Sequence, residues 1–261
     1  MTTHRPATIA AESRTDDDRV RGGVLRYVRE AVAVHESLPG EVELAKRLDC
    51  SRQQVRHALS SLERQGIVKR RQGAATVVDP VALRMSARLE EQLEHAELLA
   101  RMGYASAVVV IDSALAPVPA EVAPLLTTDA GPVALHVRKL WTADGVPAMV
   151  ASNVLALPAE FQGVVPGDLP AEESVFTLAE RVWGESIVWE VATPGVAVVD
   201  AGQALLLDLP VGAPVLTLEI IGTTVSGRRT FHALELHNPA IVSYSFVRTV
   251  RPPWSNSFFG E

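Results

Sequence analysis

Ser51, Arg52, Gln53, Gln54, Arg56 and His57 fall within seven consecutive positions, and no acid interrupts the run before Glu63. Arg52 and Arg56 are four residues apart, so on a helix both guanidinium forks project from one side. That pairing suits phosphates or guanine edges, and a glutamine amide suits adenine. For such residues to work they must stand at the exposed start of a helix whose opposite face is buried. Val55, Ala58, Leu59 and Leu62 supply the buried stripe. Ser51 is a favourable N-cap, and Gln54 completes an S-x-x-Q capping box. Gly66 ends the element.

The segments around this helix read as its support. Asp16–Asp18 suit a helix N-terminus, and Val20, Val24, Leu25, Val28 and Val32 then recur at helical spacing. A second helix spans about Glu41 to Leu48, with Leu44, Ala45 and Leu48 facing inward. Asp49 serves the tight turn into Ser51. After Gly66, "IVKRR", the turn "QGAA" and "TVV" read as a two-stranded ribbon. Its tip places Arg71, Gln72 and Gly73 beside a duplex backbone or minor groove. Helix, helix, turn, helix and ribbon is the order of a winged helix-turn-helix, a fold that seats one helix in a major groove of double-stranded DNA.

The charge distribution agrees. The 261-residue chain has a net charge of −7, yet Arg19–Val78 holds 12 Lys and Arg against 6 Asp and Glu. From Tyr104 onward the numbers are 7 and 16, so an electropositive module precedes an acidic one. Apolar residues make up 48% of the chain, enough for two cores. No apolar run is long enough for a spanning helix, and "MTTHRPATIAAESRTDDD" has no long apolar core, so a secretory signal is not expected. A single cysteine, Cys50, excludes an internal disulfide and a Cys-rich zinc site. It is expected to pack in the turn. These features describe a cytoplasmic protein without a membrane partner.

The division expected is a disordered tail at 1–18, a winged helix-turn-helix domain at 19–79 and a linker with a connecting helix at 80–103. An α+β domain around an antiparallel sheet follows at 104–251, then a tail at 252–261. In the linker Leu89, Leu93, Ala96, Leu99 and Ala100 form a helical stripe. Strands are expected at Ala107–Leu115, Pro132–Thr142, Pro147–Leu155, Ser186–Val199, Pro214–Thr224, Arg229–His237 and Val242–Val250. Helices are expected at Ala120–Leu126, Ser174–Trp183 and Asp200–Leu207. His136, His232 and His237 do not form a ligand set, and no phosphate-binding loop, dinucleotide fingerprint or nucleophile elbow is present. No metal, cofactor or catalytic residue is therefore assigned.

"LPGEVELAKRLDCSRQQVRHALSSLERQGIVKRRQG" resembles the GntR family of bacterial transcription regulators. The resemblance lies in the LPSE-x-x-LA pattern, the V-R-x-A-L recognition helix and the L-E-x-x-G-x-V wing. The second half is similar to the UTRA effector domain of the HutC subfamily. "VRKLWTADGVPAMVASNVLALP", "SVFTLAERVWGESI" and "VDAGQALLLDLPVGAPVLTLEI" carry that similarity. The resemblance implies a chorismate-lyase-like fold for the second domain and a homodimeric repressor that leaves its operator on binding a small metabolite. Arg52 and Arg56 match the family's two recognition-helix arginines, and Gly73 matches a wing glycine.

Departures from the pattern are informative. Val42 stands where the family usually has Arg, and Ala75 replaces the second wing glycine, so the operator is expected to differ or binding to be weaker. Lys139 takes the place of an Arg found in sugar-phosphate-binding members, Ala151 that of a Glu, and "NPAIVSYSF" that of an R-G-D-R signature. A phosphosugar effector is thereby disfavoured. Candidate effector residues are Lys139, Trp141, Ser152, Asn153, Glu235 and Tyr244, of which alternation along strands lets about half face one pocket. Two alternatives remain at this stage: a second domain that only dimerises, and a chorismate-lyase-like enzyme.

Overall fold

In the computed structural model the chain is described for residues 8–9, 16–34, 37–64, 66–70, 75–84, 87–89, 91–127, 129–161 and 163–246. The elements are β1 (Thr8–Ile9), α1 (Asp16–Val34), α2 (Glu41–Arg47), α3 (Arg52–Arg64), β2 (Val68–Lys69), β3 (Val77–Val78), α4 (Pro80–Arg84) and α5 (His95–Arg101). They continue with β4 (Ser106–Pro117), β5 (Ala130–Ala143), β6 (Val146–Pro158), α6 (Val175–Trp183), β7 (Ile187–Val198), α7 (Ala201–Leu207), β8 (Pro214–Thr224) and β9 (Arg229–His237). The class is α+β, as the alternation of texture along the chain implies.

The N-terminal core is made by stripes that were visible locally. Val20, Val24, Leu25 and Val28 of α1 meet Leu44 of α2 and Val55, Leu59 and Leu62 of α3, all essentially without solvent exposure. Asp49, at φ 46°, makes the left-handed turn between α2 and α3. The antiparallel ribbon β2–β3 closes the module, with Val68 opposite Val78. Cys50 packs against this core, and burial pushes its thiol pKa up, which leaves it a poor nucleophile.

The second module is a seven-stranded antiparallel sheet in the order β1-β4-β5-β6-β9-β8-β7. Asp144 and Gly145, both at positive φ, turn β5 into β6 as a tight hairpin. Ser174 caps α6 by accepting from Thr177 N–H, and Gly184 ends that helix in the left-handed region. Asp200 and Gln203 form a reciprocal capping box on α7. α6 packs on one face of the sheet through Leu178, Ala179 and Val182, and α7 on the other through Ala204 and Leu207.

Four expectations are corrected. Thr8–Ile9, assigned to a disordered tail, pair antiparallel with Val109 and Val108, and α1 begins at Asp16. The linker helix does not reach back to Leu89. Leu89 N–H donates to Ser245 O, and Glu94 is extended, so the helix is confined to His95–Arg101. Ala120–Leu126 forms only one tight turn, Ala123–Leu125, with Pro124 inside it. The strand expected at Val242–Val250 does not join the sheet over its described residues. β6 and β8 already occupy both edges of β9, and Ser245 instead bridges to Arg88 in the linker. Residues 247–250 lie outside the described residues.

The two modules meet through α1. Arg29 donates to Gly103 O at 3.0 Å, reaches Asp144 at 3.4 Å and lies 3.3 Å over the Tyr104 ring. Asp144 in turn accepts from Ala105 N–H at 2.8 Å. The β5–β6 hairpin turn is thus tied to the first helix of the N-terminal module.

Candidate functional site

The start of α3 is built as its sequence requires. Gln54 N–H donates to Ser51 Oγ at 3.2 Å, and Ser51 N–H donates to Gln54 Oε1 at 2.9 Å, closing the capping box. Arg52, Gln53, Arg56 and His57 are exposed, while Val55 and Leu59 on the opposite side are buried. Gln54 differs from the other amide. Its Oε1 is spent on the cap and its Nε2 donates to Asp16 at 2.6 Å, so Gln53 is the glutamine free to read a base.

An acid not singled out by its sequence organises this tip. Glu41, at the first position of α2, accepts from Arg52 Nε at 3.1 Å and approaches Arg56 at 3.4 Å and Arg70 at 3.8 Å. Burial alone would raise its pKa, but hydrogen bonds from Arg52 and Arg56 hold the carboxyl below its ordinary value. Arg70 turns back onto α3, donating to Glu63 and Ser60, and leaves Lys69 as the exposed cation of β2. Val42, beside Glu41, is 66% exposed and adds no charge where the family pattern has arginine. Arg71, Gln72 and Gly73 lie outside the described residues.

The second site is a cavity of about 980 Å³ over one face of the sheet. Register explains its floor. Residues directly opposite across strands share a face, so Lys139, Ala151, Glu235 and Leu218 form one row, and Val137, Asn153, Ala233 and Ile220 the next. Trp141 and Met149 form the row before them. Lys139, Trp141, Asn153 and Glu235 therefore reach the same cavity. Ser152 does not. It pairs with Arg138 and Leu234 on the other face and is exposed there. Tyr244 lines an adjoining cavity of about 480 Å³, which shares Glu235 with the first.

The polar groups of the cavity are tightly arranged. Lys139 Nζ donates to Glu173 O just before α6, and burial lowers its pKa. Glu235 is held at both oxygens, by His95 Nε2 at 2.7 Å and His237 Nε2 at 3.0 Å. Burial works against the Glu235 charge, yet His95 and the two hydrogen bonds hold its pKa far below the usual carboxylate range. The His95 ring stacks on Trp141 with centroids 4.3 Å apart. Glu190, on β7, is pushed up to about 7, first by burial and then by the Glu235 charge. His95 and Glu190 escaped the sequence reading. For His95 a signal existed, because it precedes the buried pair Leu98 and Leu99 by three and four residues.

One wall of the cavity comes from the other module: Arg21 and Gly22 of α1 line it together with the sheet and α5. A winged helix-turn-helix with an exposed cationic tip, joined to an antiparallel sheet beside a small-molecule-sized cavity, is the architecture of a DNA-binding regulator with an effector domain.

Comparison with known proteins agrees. Residues 27–78 match the bacterial regulatory proteins of the gntR family, and residues 101–239 match the UTRA domain. The HTH-type transcriptional regulator Rv0792c of Mycobacterium tuberculosis is 30% identical over 215 residues, covering 80% of this chain and 76% of that protein. The crystal structure of PhnF from Mycobacterium smegmatis superposes with a TM-score of 0.56 at 22% identity, over 87% of this chain and all of that one. The PhnF effector domain alone gives 0.52 at 19% identity, over 60% of this chain and 95% of that one. The chain belongs to the GntR family of bacterial transcription regulators and carries a UTRA domain. It is a GntR-type DNA-binding regulator with a UTRA effector-binding domain. Among the described residues no helix is long and apolar enough to cross a membrane.

Proposed function

We propose that the protein is a homodimeric, cytoplasmic repressor of the HutC type that leaves its operator when a small molecule enters the cavity. Arg52, Gln53, Arg56 and His57 read the major groove, Ser51 and Gln54 hold that tip in shape, and Arg71, Gln72 and Gly73 contact the flanking backbone. Lys139, Trp141, Asn153 and Glu235 form the floor of the effector site, with Tyr244 at its side. The observation that carries release by a ligand is the shared wall: Arg21 and Gly22 of α1 face the same cavity as the sheet. A ligand that binds one arrangement of the two modules better than the other shifts the balance between them.

Dimerisation is supported by β7, the last strand of the sheet, where Val188, Trp189, Val191, Val196 and Val198 are all more than half exposed. An apolar edge left unpaired among the described residues invites a second copy. Two recognition helices then face successive major grooves and the operator is a rough palindrome.

The test is a mobility-shift titration against upstream fragments of the source genome at several salt concentrations. Preference for particular fragments, weakening steeply with salt, is expected. Equal affinity for every fragment, or indifference to salt, overturns the assignment of the α3 tip.

A further inference from the structure

The cavity is lined by more acidic than basic side chains. Glu94, Glu97, Glu172, Glu173, Glu190 and Glu235 face it, against Arg21, His95, Arg101 and Lys139. Several of these acids are already matched: Glu97 by Arg101 at 3.3 Å, Glu173 by Arg181 at 2.6 Å and Glu235 by His95. Glu190 is not. It has no hydrogen-bond partner among the described residues, it is only partly exposed, and it lines both adjoining cavities.

The surroundings of Glu190 are specific. Its cross-strand neighbour on β8 is Gly222, which pairs in turn with Phe231 on β9, so all three share the cavity face. Because Gly222 has no side chain, the Phe231 ring lies directly over it. A Cβ placed there would come within 2.0 Å of Phe231 Cε1. The buried Phe231 ring thus lies next to a carboxylate that makes no hydrogen bond among the described residues and that feels the charges of Glu235 and His95, with a second ring, Phe176, edge-on to Phe231 at 5.8 Å. A carboxylate that makes no hydrogen bond and opens into a cavity is satisfied by a cationic nitrogen through a charged hydrogen bond. An anion at the same place would meet unmatched acid.

We infer that the effector carries a cationic nitrogen, as an amine, guanidine or protonated imidazole, seated at Glu190. Lys139, with the start of α6, offers a separate positive wall, so an acidic group elsewhere on the same molecule is accommodated. This inference rests on the effector-site reading and narrows it to a ligand class.

The experiment is thermal-shift and calorimetric titration of the full chain with putrescine, agmatine, histamine, L-arginine and L-histidine. Glucose 6-phosphate and citrate serve as anionic counterparts. At least one cationic compound should raise the melting temperature in a dose-dependent way. Glu190→Gln should weaken that binding by about tenfold or more, the effect of losing a charged hydrogen bond, while melting at or above the wild-type temperature without ligand. Glu190→Asp should keep part of the affinity, and Glu121→Gln, on an exposed turn away from the cavity, should keep all of it. No shift with any cationic compound, or a shift that survives Glu190→Gln, overturns the inference. If the anionic compounds alone bind and lose affinity in Lys139→Met, the effector site stands and only its ligand class is wrong. If neither class binds, both fail.

Discussion

Glu41 Oε2 accepts a hydrogen bond from Arg52 Nε at 3.1 Å, tying the first residue of α2 to the first residue of α3. The same oxygen lies 3.4 Å from Arg56. One carboxylate therefore sets the direction of two exposed guanidinium groups and at the same time cancels part of their charge. Glu41→Gln separates these effects. Affinity for random duplex DNA should rise, because two cations are released. Discrimination between operator and random DNA should fall several-fold, because their direction is lost. Fluorescence anisotropy on both duplexes measures the two. Folding stability should change by less than about 1 kcal/mol, as for other ion pairs near the surface. An unchanged operator-to-random ratio would show that Glu41 does not position the arginines.

Arg52 and Gln54 are neighbours with different work, and alanine at each should show it. Arg52→Ala should remove roughly 1–3 kcal/mol of operator discrimination, the worth of one bidentate base contact, with little change in melting temperature. Gln54→Ala should do the reverse. It opens the cap on α3 and the bond to Asp16, costing about 0.5–2 kcal/mol of stability by analogy with other cap losses. Operator selection curves and thermal melts of both variants test the contrast. Equal loss of specificity in the two would count against the separate roles.

Glu190 makes stability depend on pH. Its pKa in the folded protein is about 7 against an ordinary 4.5, so the fold binds a proton that the unfolded chain has released. Stability is then lost as pH rises from about 4.5 through 7, and remains lost above that. Glu190→Gln removes the dependence. Wild type and variant should melt together near pH 5, and the variant should be more stable above pH 8. Allowing for solvent screening of a partly exposed group, the gap should be on the order of 1–2 kcal/mol. Urea denaturation at the two pH values measures it, and a gap that is the same at both would refute the assignment.

Gly103 packs directly against α1. Its φ of +86° disfavours any side chain, and an added Cβ would lie 2.6 Å from Leu25 Cβ on α1. Its carbonyl also receives Arg29. Gly103→Ala should cost about 1–3 kcal/mol from overpacking alone, read as a lower melting temperature. Gly145→Ala makes a useful comparison, because that glycine also has positive φ (+85°) but has open space around its Cβ position. Its cost should be the smaller one. Equal costs would mean that strain, and not the contact with α1, sets the price at Gly103.

How much of this was readable from residues alone follows from the range of the interactions. The Ser51–Gln54 box, the α3 stripe and the Asp144-Gly145 turn involve residues no more than about a dozen positions apart, and their patterns are visible in one window. The 89–103 segment shows the limit. Its apolar spacing fitted a helix, but Leu89 was claimed by a hydrogen bond to Ser245, more than 150 residues away in sequence. Ser152 shows a second limit. Alternation says that Ser152 and Asn153 face opposite ways, but not which of them looks into the cavity.

The order of residues by itself determined a capped, amphipathic helix with a cationic tip, the strands that build an antiparallel sheet, and the membership of both in one regulator. Only the tertiary structure decided which side chains share the cavity. It brought His95 from α5, Glu190 from β7 and Arg21 from α1 to the floor formed by Lys139, Asn153 and Glu235. It also turned Glu41 onto Arg52. The physical reason is that a periodic pattern defines two faces of an element from neighbours a few residues apart. Which face is covered, and by what charge, depends on elements that reach it from far along the chain.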